Sequence, residues 1–262
     1  MTAIEVVTGR VTNPGAAFTA LTANTGNVFT VRDFPKEVPA YLHGLWTQQA
    51  TAGQVRMRSP RFHDDTQGIR KISAAATVRN LFGDEQEQRL YPNDPLRFDM
   101  TGGGAEVDSA AYLLYYRDLP GISARLETWE SIRPRIVDMM GQVVDVAGPA
   151  TSGDWSAGTA ITTPNDNLKA DTDYALLGYE VSAECLAVAI SGTDTGNLRV
   201  GGPGPTDPLE TRDWFTSQAR ARQLPYIPVF NSNNRGNTLI SIARITAAGT
   251  VNVSLELARL SR

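Results

Sequence analysis

The chain has 262 residues and a formal net charge of −4 at pH 7. This acidic balance argues against a nucleic-acid-binding protein that depends on phosphate contacts, so no specific recognition of nucleic acid is expected. No apolar run approaches the roughly 18 residues that span a membrane. The N-terminus lacks the basic start and apolar stretch of a signal peptide, so we expect the chain to stay in the cytoplasm in which it is made.

The composition is typical of a globular protein built from strands and turns. Hydrophobic residues make up 41% of the chain, and 23 Gly and 15 Pro separate its short apolar runs. This pattern favours a turn-rich β protein over a helical bundle. Cys185 is the only cysteine, which excludes a disulfide framework within the chain. Its apolar surroundings, "ECLAVAI", predict a small core residue.

Residues 1–39 are predicted to form an N-terminal arm. The stretch "NPGAAFTALTANTGN" is small and polar, and "VFTVRDF" offers a single strand before Pro35 and Pro39 interrupt it. Because this segment has too little apolar content to fold alone, we expect it to become ordered only against a neighbouring molecule.

Residues 40–119 are predicted to form a first β-sandwich. Strand-like runs occur in "AYLHGLWTQQ", "GQVRMRS" and "IRKISAAATV", and a hairpin follows over 96–117. Alternating apolar and polar residues indicate strands that bury one face of each sheet against the other.

Residues 120–172 are predicted to connect two halves of the chain. Apolar residues recur at near-helical spacing in "ISARLETWESIRPRIVDMM", which predicts a short helix interrupted by Pro134. A loop rich in Gly, Ser, Thr and Ala follows over 147–172.

Residues 173–262 are predicted to form a second β-sandwich. It begins with the strand pair in "DYALLGYEVSAECLAVAISG" and ends with the hairpin "LISIARITAAGTVNVSLELARL". Between them, "ETRDWFTSQARARQ" predicts a helix. The fold class is therefore all-β, with two tandem antiparallel sandwiches of the jelly-roll kind and one or two short helices in loops.

The two halves share a collinear layout, which predicts a tandem duplication. "YLHGL" resembles "ALLGY", with Gly44 and Gly178 in the same place, and "QVRMRSP" resembles "NLRVGGP". Arg56 and Arg199, which match in "QVRMRSP" and "NLRVGGP", lie 143 residues apart. Leu96 and Leu239, which begin the two predicted hairpins, also lie 143 residues apart. The alternative is one large sandwich whose strands share only the period-two pattern.

The sequence offers little that predicts catalysis. It has only two histidines, neither of them in a motif, and no phosphate loop or nucleophile elbow. Oxygen and imidazole groups that could bind a metal occur only where turn chemistry is the better explanation, at His63, Asp64, Asp65, Asn165, Asp166, Asp194 and Asn197. We therefore expect no enzyme, no cofactor and no metal site. His43, in an apolar strand, is predicted to be a satisfied core or edge residue.

Basic and aromatic residues supply candidates for contacts between subunits. Six basic residues lie between 54 and 79 against Asp64 and Asp65, and four tryptophans are spread along the chain. Arginine and tryptophan are both enriched at the centres of protein interfaces. The candidate assembly contacts are Arg56, Arg58, Arg61, Trp129 and Trp214. A sugar-binding surface formed by the tryptophans is the alternative.

Two tandem sandwiches in a chain of this length, with no catalytic set, resemble the double jelly-roll major capsid proteins of icosahedral bacteriophages. The resemblance covers the layout of residues 40–262 and no motif, so it transfers no functional residue. It implies a virion structural protein whose partners are copies of itself, first as a trimer of pseudo-hexagonal outline and then in a capsid lattice. Other virion proteins are further candidate partners.

Two other functions remain open on the sequence. The text "DTGNLRVGGPGP" and the later "DWF" and "PVFNS" are similar to virion proteins of tailed phages, which would make the chain a capsid decoration protein. A carbohydrate-binding or carbohydrate-active β-sandwich is the further alternative, because paired catalytic carboxylates leave no local signature.

Overall fold

The computed structural model describes residues 1–61, 65–83 and 86–261, and almost all of its regular structure is β-strand. The strands of the first half are β1 (Ala3–Thr12), β2 (Thr19–Ala20), β3 (Thr22–Ala23), β4 (Ala40–Gln48), β5 (Gly53–Arg58), β6 (Ile69–Ser73), β7 (Gln88–Leu90), β8 (Arg97–Thr101) and β9 (Val107–Tyr116).

The second half contains the helices as well as its own set of strands. These strands are β10 (Leu126–Glu127), β11 (Ile136–Ala147), β12 (Thr159–Ala160), β13 (Asp173–Val181), β14 (Cys185–Ser191), β15 (Val200–Gly204), β16 (Ile227–Asn231), β17 (Leu239–Ala243) and β18 (Thr250–Leu260). The helices are α1 (Trp129–Ile132), α2 (Pro208–Thr211) and α3 (Trp214–Arg222), with 3₁₀ turns at Arg133–Arg135 and Ser232–Asn237. No helix in the described part of the chain is long and apolar enough to cross a membrane.

Each half is a jelly roll. In the first half, four nested antiparallel pairs join β1 to β9, β2 to β8, β4 to β7 and β5 to β6. The second half repeats them as β11 with β18, β12 with β17, β13 with β16 and β14 with β15. Both halves therefore pair a sheet of five strands with a sheet of four, which confirms the predicted tandem sandwiches.

The duplication extends to single-residue register. Ala110 pairs with Gly9 in the first half, and Val253, 143 residues further on, pairs with Val144 in the second. The same offset relates β9 to β18 along their whole length, and an offset of 135 relates β1 to β11. Strands β1 and β9 are thus equivalent to β11 and β18 residue by residue. The fifth strand of the larger sheet differs, since β3 lies beside β1 in the first half and β10 lies beside β16 in the second.

The glycines that the sequence matched mark the same irregularity in both halves. The ladder between β4 and β9 shifts register just before Gly44, and the ladder between β13 and β18 shifts just before Gly178. The other match was wrong. β5, which contains "QVRMR", corresponds to β14 and not to β15, because β5 pairs with β8 and β14 pairs with β17, the counterpart of β8. The predicted hairpins over 96–117 and 239–260 were wrong as well: β8 and β9, like β17 and β18, lie in opposite sheets of the sandwich and do not pair.

The segment at 1–39 is not an arm. Its residues Ala3–Thr12 form the second strand of the first five-stranded sheet, between β3 and β9, and most of them are buried. The expected strand at "VFTVRDF" is absent, and only a bridge from Thr30 to Pro95 forms there. The connecting segment 120–172 likewise contains β11, the edge strand of the second five-stranded sheet. The division of the chain into separately folding units stays a prediction.

The two jelly rolls pack directly on each other. One face of β1, β4 and β9 joins the core of the first sandwich, and the opposite face, with Ile4, Trp46 and Leu113, joins the core of the second half. The second half covers this face with β14 and β15. Both halves of the chain therefore depend on one continuous buried seam.

Backbone and side-chain hydrogen bonds fix the seam. The Val6 N–H donates to the Arg199 carbonyl at 2.8 Å, and the Trp46 indole N–H donates to the Leu186 carbonyl. From the second half, the Trp155 indole N–H donates to the Asn27 side-chain oxygen of the first half at 2.9 Å. Since buried polar groups are costly unless paired, these bonds define one arrangement of the two halves.

Gly178 allows a helix to approach the second five-stranded sheet. A Cβ at this position would lie 2.2 Å from the Arg212 carbonyl oxygen, whereas Gly141, in the same row of the sheet, has no atom within 4 Å of that position. We expect Gly178→Ala to lower the free energy of unfolding by about 1–3 kcal/mol, because backbone must move. Gly141→Ala is the matched control and should leave it unchanged. Chemical denaturation of both variants measures the difference, and equal stabilities would contradict this packing.

Candidate assembly surfaces

One face of the first five-stranded sheet is buried within the chain. Ile4, Val6 and Thr8 alternate along β1 on the side that meets the second jelly roll, and all three are 0% exposed. Trp46 and Leu113 extend the same face onto β4 and β9, also without exposure. The face is apolar because another jelly roll covers it.

The equivalent face of the second five-stranded sheet is open. In β11 the register positions of Ile4, Val6 and Thr8 are Met139, Gly141 and Val143. Met139 is 52% exposed and Val143 is 47% exposed. β11 is also the edge strand of its sheet. Thr163 and Pro164 pair with its backbone at Val144 and Asp145, and no strand of the described structure pairs with the outer edge of β11 at Met139. Exposed apolar edge strands of this kind are templates for association.

Acidic residues surround this open face. Glu180 stands at the position of Trp46, and Glu256 stands at the position of Leu113. Both are half-buried, as is Asp145 on β11. We name the surface formed by Met139, Gly141, Val143, Glu180 and Glu256 the acidic face. Helices α2 and α3 pack against β13, where Arg212 lies against Gly178, while Met139 and Val143 on β11 stay exposed.

A basic surface lies on the outer side of the first four-stranded sheet. Its members are Arg56, Arg58, Arg70, Ile72 and Arg97, which we name the basic face. Ile72 is 80% exposed and lies two residues from Arg70 on β6, so it shares that strand's outward side. The strands concerned, β5 and β6, are the counterparts of β14 and β15, which cover the buried face inside the chain.

Asp99 organises the basic face. This carboxylate is 4% exposed and accepts from the Arg56 Nε–H at 3.0 Å and from the Arg58 Nε–H at 2.8 Å. The bonds to Asp99 raise the pKa of the Arg58 guanidinium. The Phe18 ring stacks beneath Arg56, with the guanidinium 4.2 Å from the ring centre. Arg56 and Arg58 are therefore held in place with part of each guanidinium facing out.

The other predicted contacts occupy three different environments. Arg61 is exposed and follows the basic face in sequence. Trp129 is half-buried, with the Arg220 guanidinium 4.3 Å from its ring centre. Trp214 is only 5% exposed and packs edge-on against Trp46 at the seam, so its contacts lie within the chain. A role for these residues in subunit contacts stays a prediction.

The tryptophans do not form the sugar-binding surface considered above. Trp46, Trp155 and Trp214 are 0%, 6% and 5% exposed, and each indole N–H is bonded inside the protein. Burial of three of the four rings leaves no aromatic platform that they could share.

His43 and Cys185 are buried, as the sequence predicted. His43 is not fully satisfied, however, because its Nε2 has no hydrogen-bond partner among the described residues and lies 3.4 Å from a Glu87 carboxylate oxygen. His43 is buried in β4, where Nδ1 lies 2.5 Å from the Tyr226 hydroxyl oxygen, and burial lowers the pKa of His43 to about 2. Cys185 is 0% exposed, and burial raises the pKa of its thiol to about 12. Neither group is poised for proton transfer or nucleophilic attack near neutral pH.

The acidic turns are engaged within the chain. Asp194 accepts from the Asn234 amide at 2.9 Å, and Asp166 pairs with Arg235 at 2.7 Å. Asp65 pairs with Arg97, while His63 and Asp64 lie outside the described residues. Among the residues that the structure describes, no three His, Cys, Asp or Glu side chains cluster as metal ligands would.

No protein-family model matches the sequence, and no curated protein is significantly similar to it. Among solved structures, a match to the crystal structure of the PBSX exported protein XepA covers 98% of this chain and 86% of that chain, at 11% identity and a TM-score of 0.28. The crystal structure of the STIV MCP matches over 99% and 97% of the two chains, at 9% identity and a TM-score of 0.22. The cryo-EM structure of the T=1 Penaeus vannamei nodavirus matches over 100% and 98%, at 10% identity and a TM-score of 0.25. Similarities at this level carry no functional argument.

Replacing Asp99 tests how the basic face is held together. Asp99→Asn leaves two arginines without their buried carboxylate, and we expect the free energy of unfolding to fall by about 2 kcal/mol. The matched control is Asp138→Asn, which removes an exposed carboxylate paired with Arg259 and should change stability little. Urea denaturation of both variants at low and high salt gives the comparison, and an unchanged Asp99→Asn midpoint would contradict the assigned role.

Proposed function

We propose that the protein is a virion structural protein: a capsid shell subunit that self-assembles through trimers into an icosahedral bacteriophage capsid. One observation carries the proposal. The face that the first jelly roll buries against the second has a residue-by-residue counterpart on the second jelly roll, and that counterpart is exposed.

A second copy of the chain supplies the missing cover. Inside the chain, the larger sheet of one jelly roll packs against strands β14 and β15 of the other. Repeating the same contact between chains brings the acidic face of one molecule to β5 and β6 of the next, where the basic face lies. This association is heterologous, because different surfaces meet, and such contacts form rings when the rotation closes.

The chemistry of the two faces supports this pairing. Glu180, Glu256 and Asp145 oppose a surface of four arginines, while Met139 and Val143 match the exposed Ile72. Opposite charges favour this pairing over contacts between two copies of one face. A closed ring of three chains would contain six jelly rolls, which accords with the pseudo-hexagonal trimer that the resemblance implies.

A substitution in the acidic face tests the proposal. We expect Met139→Glu, which places a third carboxylate beside Glu180 and Glu256, to leave a folded protein that no longer forms trimers or shells. Val28→Glu is the matched control, because Val28 is 60% exposed and lies in a loop of the first half. Sedimentation velocity and negative-stain microscopy of the wild type and both variants measure assembly.

The outcomes separate the possible roles. Shells from wild type and Val28→Glu, with soluble folded subunits from Met139→Glu, would support a shell protein. Trimers without shells would favour the decoration role. A monomeric wild type, or unimpaired assembly of Met139→Glu, would contradict self-assembly through this face.

A further inference from the structure

Two carboxylates converge at one end of the first jelly roll, away from the faces described above. Asp108 begins the buried part of β9 and is 0% exposed, and Glu106 precedes it in the loop after β8. A Cβ on Gly102 would lie 2.1 Å from Asp108 Oδ2 and 2.8 Å from Glu106 Oε1, so both oxygens crowd over this glycine. The glycine is required here because any side chain would displace the pair.

The pair connects three loops. Thr51 Oγ1 donates to Glu106 at 2.7 Å, and the Gln49 amide donates to Asp108 at 2.8 Å, both from the loop between β4 and β5. The loop between β8 and β9 contributes the Gly103 N–H to Glu106. From the segment after β1, the Asn13 N–H donates to the Glu106 carbonyl at 2.8 Å.

Burial and mutual repulsion disfavour a second negative charge at this site. Burial raises the pKa of Asp108 to about 6, although the hydrogen bond from the Gln49 amide favours the ionised form. The negative charge of Glu106 raises the pKa further. Asp108 Oδ1 is buried and has no hydrogen-bond partner among the described residues. Burial also opposes ionisation of Glu106, but the Gly103 N–H and the Thr51 hydroxyl hold its pKa below the ordinary value. Glu106 therefore stays ionised while Asp108 takes up the proton.

No other charged group faces the pair in the described structure. β1 places Val11 opposite Asp108, and the segment after β1 places Pro14 near Gly102. The β4–β5 loop contributes only the uncharged Gln49 and Thr51. Proton uptake at this site therefore depends on Glu106 and Asp108 alone.

The second jelly roll shows that the fold does not need these residues. At the offset of 143, Asp108 corresponds to Val251, which is 0% exposed opposite Val146, and Glu106 corresponds to Gly249. At the offset of 134 that relates β4 to β13, Gln49 corresponds to Ala183. The apolar Val251 fills this buried position in the second half. The Asp108 carboxylate in the first half is therefore not needed for packing and has another role.

We propose that Glu106 and Asp108 form a proton-binding clamp that holds the three loops together in acid and loosens this end of the first jelly roll as the pH rises. The bound proton lies between the two carboxyl groups, so Asp108 donates and Glu106 accepts. Above neutral pH both are ionised and repel each other across Gly102, which weakens the loop contacts.

The sign of the pH dependence follows from proton linkage. The folded protein binds the Asp108 proton more tightly than the unfolded chain, whose pKa is near the ordinary value of 3.8. The added stability is complete below that value and is lost as the pH rises through about 6. A shift of about two pKa units corresponds to a change of about 100-fold in the unfolding equilibrium constant.

Asp108→Asn tests the clamp, because the amide is always neutral and can still donate to Glu106. Urea denaturation from pH 4 to pH 8, in buffer containing a chelator, compares it with the wild type and with Glu37→Gln, an exposed carboxylate away from the pair. The wild type and Glu37→Gln both keep the clamp, so they should lose the same amount of stability from the pair between pH 4 and pH 7. Asp108→Asn should not, and its unfolding constant at pH 7.5 should be lower than that of the wild type by up to about 100-fold.

Hydrogen exchange localises the effect. Amide protons of the β4–β5 and β8–β9 loops should exchange faster in the wild type at pH 7.5 than in Asp108→Asn, after correction for the intrinsic rate. Identical pH profiles of wild type and Asp108→Asn would overturn the proposal. If Asp108→Asn does not fold, Glu106→Gln replaces it: it removes the repulsion, so the transition should move to lower pH, and an unmoved transition overturns the clamp equally.

Discussion

The structure depends on burying the outer face of the first five-stranded sheet. β1, β4 and β9 have apolar side chains on both faces, and a sheet of that kind is stable only with a layer on each side. Its own four-stranded sheet covers one face and the second jelly roll covers the other. The bonds from Val6 to Arg199 and from Trp46 to Leu186 then fix the position of that cover.

The same constraint explains why the second jelly roll differs from the first. Its larger sheet has no third jelly roll to cover it, and it carries Glu180 and Glu256 where the first sheet carries Trp46 and Leu113. Only the edge strand stays apolar, with Met139 and Val143 exposed. If this sheet only faced solvent, we would expect polar residues on the edge strand β11 as well. The mixture of charge with an apolar edge suits a contact that forms between molecules after folding.

The sequence predicted the features that local pattern determines. The glycines Gly44 and Gly178 and the tandem sandwiches are in the structure, and so are the strands of both predicted hairpins. The pairing within those hairpins was wrong, because β8 and β9, like β17 and β18, lie in opposite sheets of their sandwich. β1 was missed because its partner strand, β9, is about a hundred residues away in the sequence. Both faces of β1 are buried, so its sequence lacks the alternation of apolar and polar residues that predicts a strand. β11 was missed because its exposed apolar residues continued the helical spacing of the preceding turn. The two faces could not be predicted, since equivalence between Ile4 and Met139 exists only in the register of the folded sheets.

Each jelly roll serves as a structural reference for the other. Where two copies of a jelly roll share register, a difference between them separates what the fold requires from what it does not. Asp108 against Val251 is such a difference, and so is Ile4 against Met139. In both cases the physical environment changes with the residue, from a hydrogen-bonded cluster of loops to an apolar core and from a buried seam to an open surface.

Cross-linking between two variants that each carry one introduced surface cysteine tests the central claim most directly. Val143→Cys places a thiol on the acidic face and Ile72→Cys places one on the basic face, while the native Cys185 is buried and unreactive. Head-to-tail association predicts a disulfide-linked dimer only when the two variants are mixed. A dimer formed by Val143→Cys alone, or assembled particles with no cross-link in the mixture, would contradict the repeated contact on which the account depends.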